Sequence, residues 1–150
     1  MIIQVIGFPG SGKTEFAQKL ADEIGANYLT VSEEQIKIIN NHKDLESKFI
    51  EIANQLKILI DILKNEDKHL IIDFINPNFQ TRNIVGQPDK TIWMNKKPQT
   101  EYPLVDALWE IPVKADLMFD DMINLDQALR ITMIDFKLKQ LENNLINTTR

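Results

Sequence analysis

The chain has 150 residues, 43 % of them hydrophobic and 26 % charged, enough for one domain with a core of its own. Its formal charge of −5 and the lack of a long basic stripe argue against a nucleic-acid footprint, and no apolar run approaches the ~20 residues a membrane-spanning helix needs. Cysteine is absent, which excludes disulfides, thiolate zinc sites and cysteine nucleophiles; with no basic leader ahead of the first apolar run, a cytoplasmic location is the expectation.

Met1 to Ile6 is a short apolar run suited to a buried strand, and an amphipathic helix pattern begins near Lys13. Between them lies Gly7-Phe8-Pro9-Gly10-Ser11-Gly12-Lys13-Thr14, which fits G-x-x-x-x-G-K-[ST], the phosphate-binding loop of nucleoside triphosphatases and kinases. Gly7, Gly10 and Gly12 allow backbone conformations that a Cβ forbids, so amide N–H groups around Pro9 and Ser11 can close on an anion. The helix N-terminus adds partial positive charge. Lys13 would reach the β- and γ-phosphates of ATP, and the Thr14 hydroxyl would ligate Mg²⁺.

Phe16, Leu20 and Ile24 share one face of the first helix, with Gly25 as its stop. Asn27 to Val31 reads as a second strand, and Ser32 could cap a short helix through Asn40. Glu33 or Glu34 would then orient an acceptor hydroxyl as general base, or serve as ordinary acids of a helix first turn. From Asp44 to Asn65, the recurrence of Leu45, Phe49, Ile52, Leu56, Leu59 and Leu63 predicts a long helix. Ile50, Ile58, Ile60 and Ile62 widen its apolar surface, which points to packing on a sheet.

His69 to Phe74 is a continuous apolar strand carrying an acid, Asp73, where a carboxylate could hold Mg²⁺ beside Thr14 or merely cap the next turn. Asn76-Pro77 breaks the chain before a helix from about Phe79 to Val85. Arg82 on that helix reads either as a clamp for a substrate phosphate or as a solvated arginine. Lys90 to Met94 is a further strand, residues 95–112 a loop with room for a short helix, Asp116 to Asp120 a last strand, and Leu125 to Leu145 a closing helix. Lys96-Lys97 is an isolated basic pair suited to one small anion, and neither His42 nor His69 has metal-ligand spacing. Trp93 and Trp109 read as core aromatics or as stacking surfaces for a base.

Strands alternating with helices imply parallel pairing. The expected fold is therefore a single domain over residues 1–150, a three-layer α/β/α P-loop NTPase fold with a mostly parallel sheet of about five strands. The loop, Ser32 to Glu34, Asp73 to Arg82 and Asn95 onward all follow strand ends, where ligands bind in such sheets.

These residues resemble adenylylsulfate kinase, a small P-loop kinase, in the stretches Ile6 to Thr14, Phe74 to Arg82, Trp109 to Pro112, and Asp116 to Asp120 with Asp126-Gln127-Ala128. The resemblance implies transfer of the ATP γ-phosphoryl group to the 3′-hydroxyl of adenylylsulfate with Mg²⁺. It implies a substrate loop at Phe74, Ile75, Asn76 and Pro77, with Arg82 as a substrate-binding residue, and a catalytic set of Lys13, Glu33 and Asp73. The family's acidic motif after the second strand is replaced by Leu29 to Gln35, so Ser32 stands at the catalytic aspartate position and Glu33 is the nearest acid. The segment Glu46 to Glu51 lacks the family's arginines, and the lid keeps only Lys96 and Lys97 as cations. A kinase for another metabolite or nucleoside, or a nucleotide-binding regulatory module without turnover, are the rival expectations. The partner expected is a nucleotide-like small molecule, with no nucleic acid and no membrane; a homodimer is left open.

Overall fold

The computed structural model describes residues 1–31, 44–96 and 103–148. Its elements are β1 (Ile2–Ile6), α1 (Lys13–Ile24), β2 (Asn27–Thr30), α2 (Leu45–Leu63), β3 (Leu70–Asp73), α3 (Phe79–Val85), β4 (Lys90–Asn95), α4 (Pro103–Asp106), β5 (Leu117–Asp120) and α5 (Leu125–Thr148). The five strands form one sheet in the order β2-β3-β1-β4-β5, and every pairing is parallel. Expected three-layer architecture and observed fold agree.

Alternation along each strand divides the apolar residues between two layers. Ile3, Val5, Ile71, Ile92, Met94 and Phe119 face Phe16, Leu20, Ala128 and Phe136 of α1 and α5. Leu70, Ile72 and Phe74 face Phe49, Ala53, Leu56 and Ile60 of α2, with Val85 of α3. The near-continuous apolar reading of β1 and β3 follows, because both faces of these central strands are covered.

Helix boundaries follow local chemistry. Asn78 and Thr81 exchange hydrogen bonds in a capping box at the start of α3. Asp44 accepts from the Ser47 N–H to cap α2. Gly25 ends α1, its N–H bonded to the Ala21 carbonyl.

Part of the α2 reading is corrected. Only Phe49, Ala53, Leu56 and Ile60 form its buried stripe, while Ile58, Leu59 and Ile62 point outward. One helix face reaches the sheet, so the wide apolar surface of this sequence is not all core. The expected short helix from Ser32 to Asn40 lies outside the described residues, as do Lys97 and His42.

Candidate phosphate-binding site

The topology fixes where the site forms. β1 lies between β3 and β4, and Val5 is paired with Asp73 in the parallel register. The loop leaving β1 therefore emerges beside the carboxyl end of β3. Gly10 and Gly12 take left-handed backbone angles, φ 79° and 83°, which turn the chain from strand into helix. Gly7 serves a different need, since an added Cβ would lie 2.7 Å from Ser11 Oγ and 2.8 Å from the Met94 carbonyl oxygen. Backbone of β4 cannot yield there as a side-chain end would. Gly7→Ala is expected to destabilise the protein by about 1–3 kcal/mol through overpacking, and a thermal melt checks it.

The loop and β3 border a cavity of about 370 Å³ lined by Pro9, Gly10, Gly12, Lys13, Thr14 and Asp73, with Gln18, Val31, Phe74 and Ile75 among the other lining residues. Lys13 is 8 % exposed and Asp73 only 2 %. Thr14 Oγ1 donates to Asp73 Oδ2 at 2.7 Å. The same oxygen accepts from the Tyr28 hydroxyl at 2.9 Å and from Thr30 Oγ1 at 3.3 Å. Three neutral donors thus hold a buried carboxylate at the floor of the cavity without neutralising it.

Tyr28 was not legible as a site residue. It belongs to the strand beside β3, where Thr30 pairs with Asp73 and Tyr28 lies two residues back on the same face. Its phenol is pushed up to about 12, first by burial, with the Asp73 charge adding to the effect. The raised value means that the folded state favours the protonated phenol. Tyr28 therefore remains a donor to Asp73 through pH 10, and the stability it contributes is present below its ordinary value and is lost as pH climbs through about 12. An absorbance titration of the two tyrosines, Tyr28 and Tyr102, should show one phenol ionising near pH 12, and that late phase should vanish in Tyr28→Phe.

The arrangement fits a magnesium-bound triphosphate. The left-handed glycines open the loop amides to an anion, Ser11 Oγ is buried without a partner among the described residues, and Lys13 belongs to the cavity wall. A hydroxyl has two lone pairs, so Thr14 can donate to Asp73 while offering one to a metal. Among the described residues no cluster of three or more acidic or histidine side chains could cage a metal. Mg²⁺ bound through one or two protein groups, phosphate oxygens and water needs no such cage.

Of the expected substrate loop, Phe74 and Ile75 line the cavity, while Asn76 and Pro77 do not. Asn76 has a positive φ of 49°, and both polar atoms of its buried amide lack a partner among the described residues. Arg82 occupies neither of the two positions expected for it. Its Nε donates to the Asn76 carbonyl at 2.9 Å, and its Nη2 donates to the carbonyls of Glu110 at 2.6 Å and Pro77 at 3.3 Å. The guanidinium also sits 5.0 Å above the Trp109 ring, which in turn packs against Phe8 of the phosphate-binding loop at 4.9 Å. Burial lowers the Arg82 pKa from its ordinary value. Arg82 lines a second cavity, of about 420 Å³, that shares no lining residue with the first. It staples the 76–77 turn to the 109–110 segment, and the Phe8–Trp109 stack ties that staple to the loop. The sequence signal for this contact is Trp109, one of the two aromatics that read as a core residue or a stacking surface.

Lys96 is likewise engaged, donating to the backbone carbonyls of Asp120 and Ile123, so it ties β4 to the turn after β5 and is not a mobile lid cation. Glu33, Glu34 and Ser32 lie outside the described residues.

Comparison with known proteins agrees with this geometry. A family described as ATPase family associated with various cellular activities (AAA) matches residues 3–76, the span from β1 past Asp73. The chain is 30 % identical over 104 residues, 68 % of its length, to a putative adenylate kinase of Saccharolobus islandicus, of which the match covers 52 %. It thus spans about half the length of the curated relatives it matches. Among solved structures, it is similar to a sugar kinase from Janibacter sp. HTCC2649 (TM-score 0.71, 16 % identity, 89 % of this chain and 92 % of that one). It is also similar to the Mycobacterium tuberculosis APS kinase in complex with AMPPNP and APS (TM-score 0.68, 14 % identity, 91 % and 96 %). At these identities the solved structures speak for the fold alone: the chain has the P-loop kinase fold, a five-stranded all-parallel sheet flanked by helices.

Proposed function

We propose that the protein is an ATP-dependent phosphotransferase acting on an adenine-nucleotide acceptor. The observation that carries the phosphoryl-transfer reading is the convergence of Lys13, Thr14 and Asp73 on one cavity, with Thr14 Oγ1 2.7 Å from Asp73 Oδ2. The acceptor class draws on the curated relatives, named putative adenylate kinases, and on the resemblance of this sequence to adenylylsulfate kinase; both point to an acceptor built on adenosine 5′-phosphate. The 3′-hydroxyl of adenylylsulfate is the first reading, supported by the stretches Phe74 to Pro77 and Trp109 to Pro112. The phosphate of AMP is the second, favoured by the identity to putative adenylate kinases.

In this reading the loop amides and Lys13 bind the β- and γ-phosphates and offset the charge that spreads over the transferring group. Thr14 and Asp73 would hold Mg²⁺, which when bound neutralises phosphate charge and orients the γ-phosphoryl group. Phe74 and Ile75 supply apolar wall to the cavity where an acceptor base or ribose would lie. Glu33 remains proposed as the acid that orients the acceptor. Arg82 holds the substrate loop in place through its carbonyls instead of binding phosphate itself.

Side-by-side turnover of adenylylsulfate, AMP and a set of nucleosides with Mg-ATP tests the proposal. Product from an adenine nucleotide and none from nucleosides or sugars supports it. Turnover confined to a sugar or other metabolite overturns the acceptor class.

A further inference from the structure

Along α5, Ile131, Ile134, Leu138 and Leu141 recur at spacings of three, four and three, a heptad seam that the sequence continues at Leu145. These four are 41 %, 60 %, 56 % and 57 % exposed. They lie opposite the helix face that carries buried Ala128, Thr132 and Phe136, so they stay outside the core that the described residues form. Every residue from 137 to 146 is exposed, so the second half of the seam runs where no described element covers it.

The charges beside the seam indicate what would cover it. One flank carries Arg130 and Lys137, the other Asp135 and Glu142. In a parallel two-stranded coiled coil, the residue preceding the first inner position of each heptad meets the residue five positions later on the other helix. That rule pairs Arg130 with Asp135 of a second copy, and Lys137 with Glu142, twice each by symmetry. An antiparallel pairing of the same helices would set acid against acid along one edge. Asp135 also pairs with Lys90 of its own chain, so the Lys137–Glu142 contact carries the charge complementarity more than the Arg130–Asp135 one.

We propose that the exposed face of α5 pairs in parallel with the same face of a second copy of this chain, forming a homodimer independent of the phosphate site. Two heptads bury less than the ~1,200 Å² of a standard stable interface, so the dimer should be reversible, with a dissociation constant in the micromolar range.

Sedimentation equilibrium of the intact chain from about 1 µM to about 1 mM spans that range. The parent should pass from monomer to dimer, and Leu138→Glu should stay monomeric. Ile134→Lys makes the same test if Leu138→Glu frays the helix. Lys137→Glu should raise the dissociation constant at least about tenfold by placing like charges opposite Glu142. Lys137→Glu with Glu142→Lys should restore it to within about threefold, because the exchanged pair again attracts. A parent that stays monomeric at the highest concentration overturns the proposal and leaves the seam to a different partner. A dimer that survives both seam substitutions, or a double exchange no tighter than the single, overturns it as well.

Discussion

Replacing Lys13 by alanine is expected to lower phosphoryl transfer by at least about 10²- to 10³-fold, the range for removing one preorganised group aimed at transition-state charge. The reason is position. Lys13 opens α1, is 8 % exposed and borders the cavity beneath Gly10 and Gly12. An ammonium held there is largely out of water, where its attraction for phosphate is stronger than at a surface. It also lies at a helix N-terminus, where a cation contributes little to or slightly opposes helix stability. The ligand-free variant should therefore melt within about 1 kcal/mol of the parent. What it should lose is stabilisation by Mg-ATP, which for a bound ligand at a hundred times its dissociation constant amounts to about 2.7 kcal/mol. Turnover within about tenfold of the parent, with the thermal shift intact, would leave Lys13 without its assigned role.

Asp73 should behave differently, because it supports structure and chemistry at once. Asp73→Ala removes the acceptor of Thr14, Tyr28 and Thr30 and leaves three hydroxyls in partly buried surroundings. Loss of a charged acceptor with its donors stranded costs about 2–4 kcal/mol. Asp73→Asn keeps the shape and one acceptor oxygen but not the charge. Its stability should stay within about 1.5 kcal/mol of the parent while transfer falls about 10²-fold or more. The two variants separate the roles: denaturant unfolding reads the first and acceptor phosphorylation the second. If Asp73→Asn turned over normally, the carboxylate would be a buttress for the loop and not a metal-holding group.

How far the sequence carried can be read from particular residues. The bounds of α1 and α3 were legible because a glycine stop and an Asn-Pro break mark their ends. The parallel sheet followed from strands and helices in alternation, and Lys13, Thr14 and Asp73 from spacing and strand position alone. Tyr28 was not legible, since its contact with Asp73 depends on which strand becomes the neighbour of β3. Sequence order does not state that β2 lies beside β3 while β1 lies beyond it. Arg82 misled for a related reason. An arginine following a strand end suits an anion, but here its Nε and Nη2 go to three carbonyls brought together by the 76–77 turn and the 109–110 segment, leaving only Nη1 without a partner among the described residues. The outward Ile58, Leu59 and Ile62 show the limit of periodicity as a guide: an apolar period locates a helix, and only tertiary packing decides which of its faces is core.

The most direct test of the account follows the γ-phosphoryl group itself. Labelled Mg-ATP is offered with adenylylsulfate and AMP together, to the parent and to Lys13→Ala, and the label is traced by mass. The account predicts label on an adenine-nucleotide acceptor with the parent, and none above background with Lys13→Ala. Parent protein that is stabilised by Mg-ATP yet leaves all the label on ATP or free phosphate would contradict it, and the chain would then be a nucleotide-binding module without transfer.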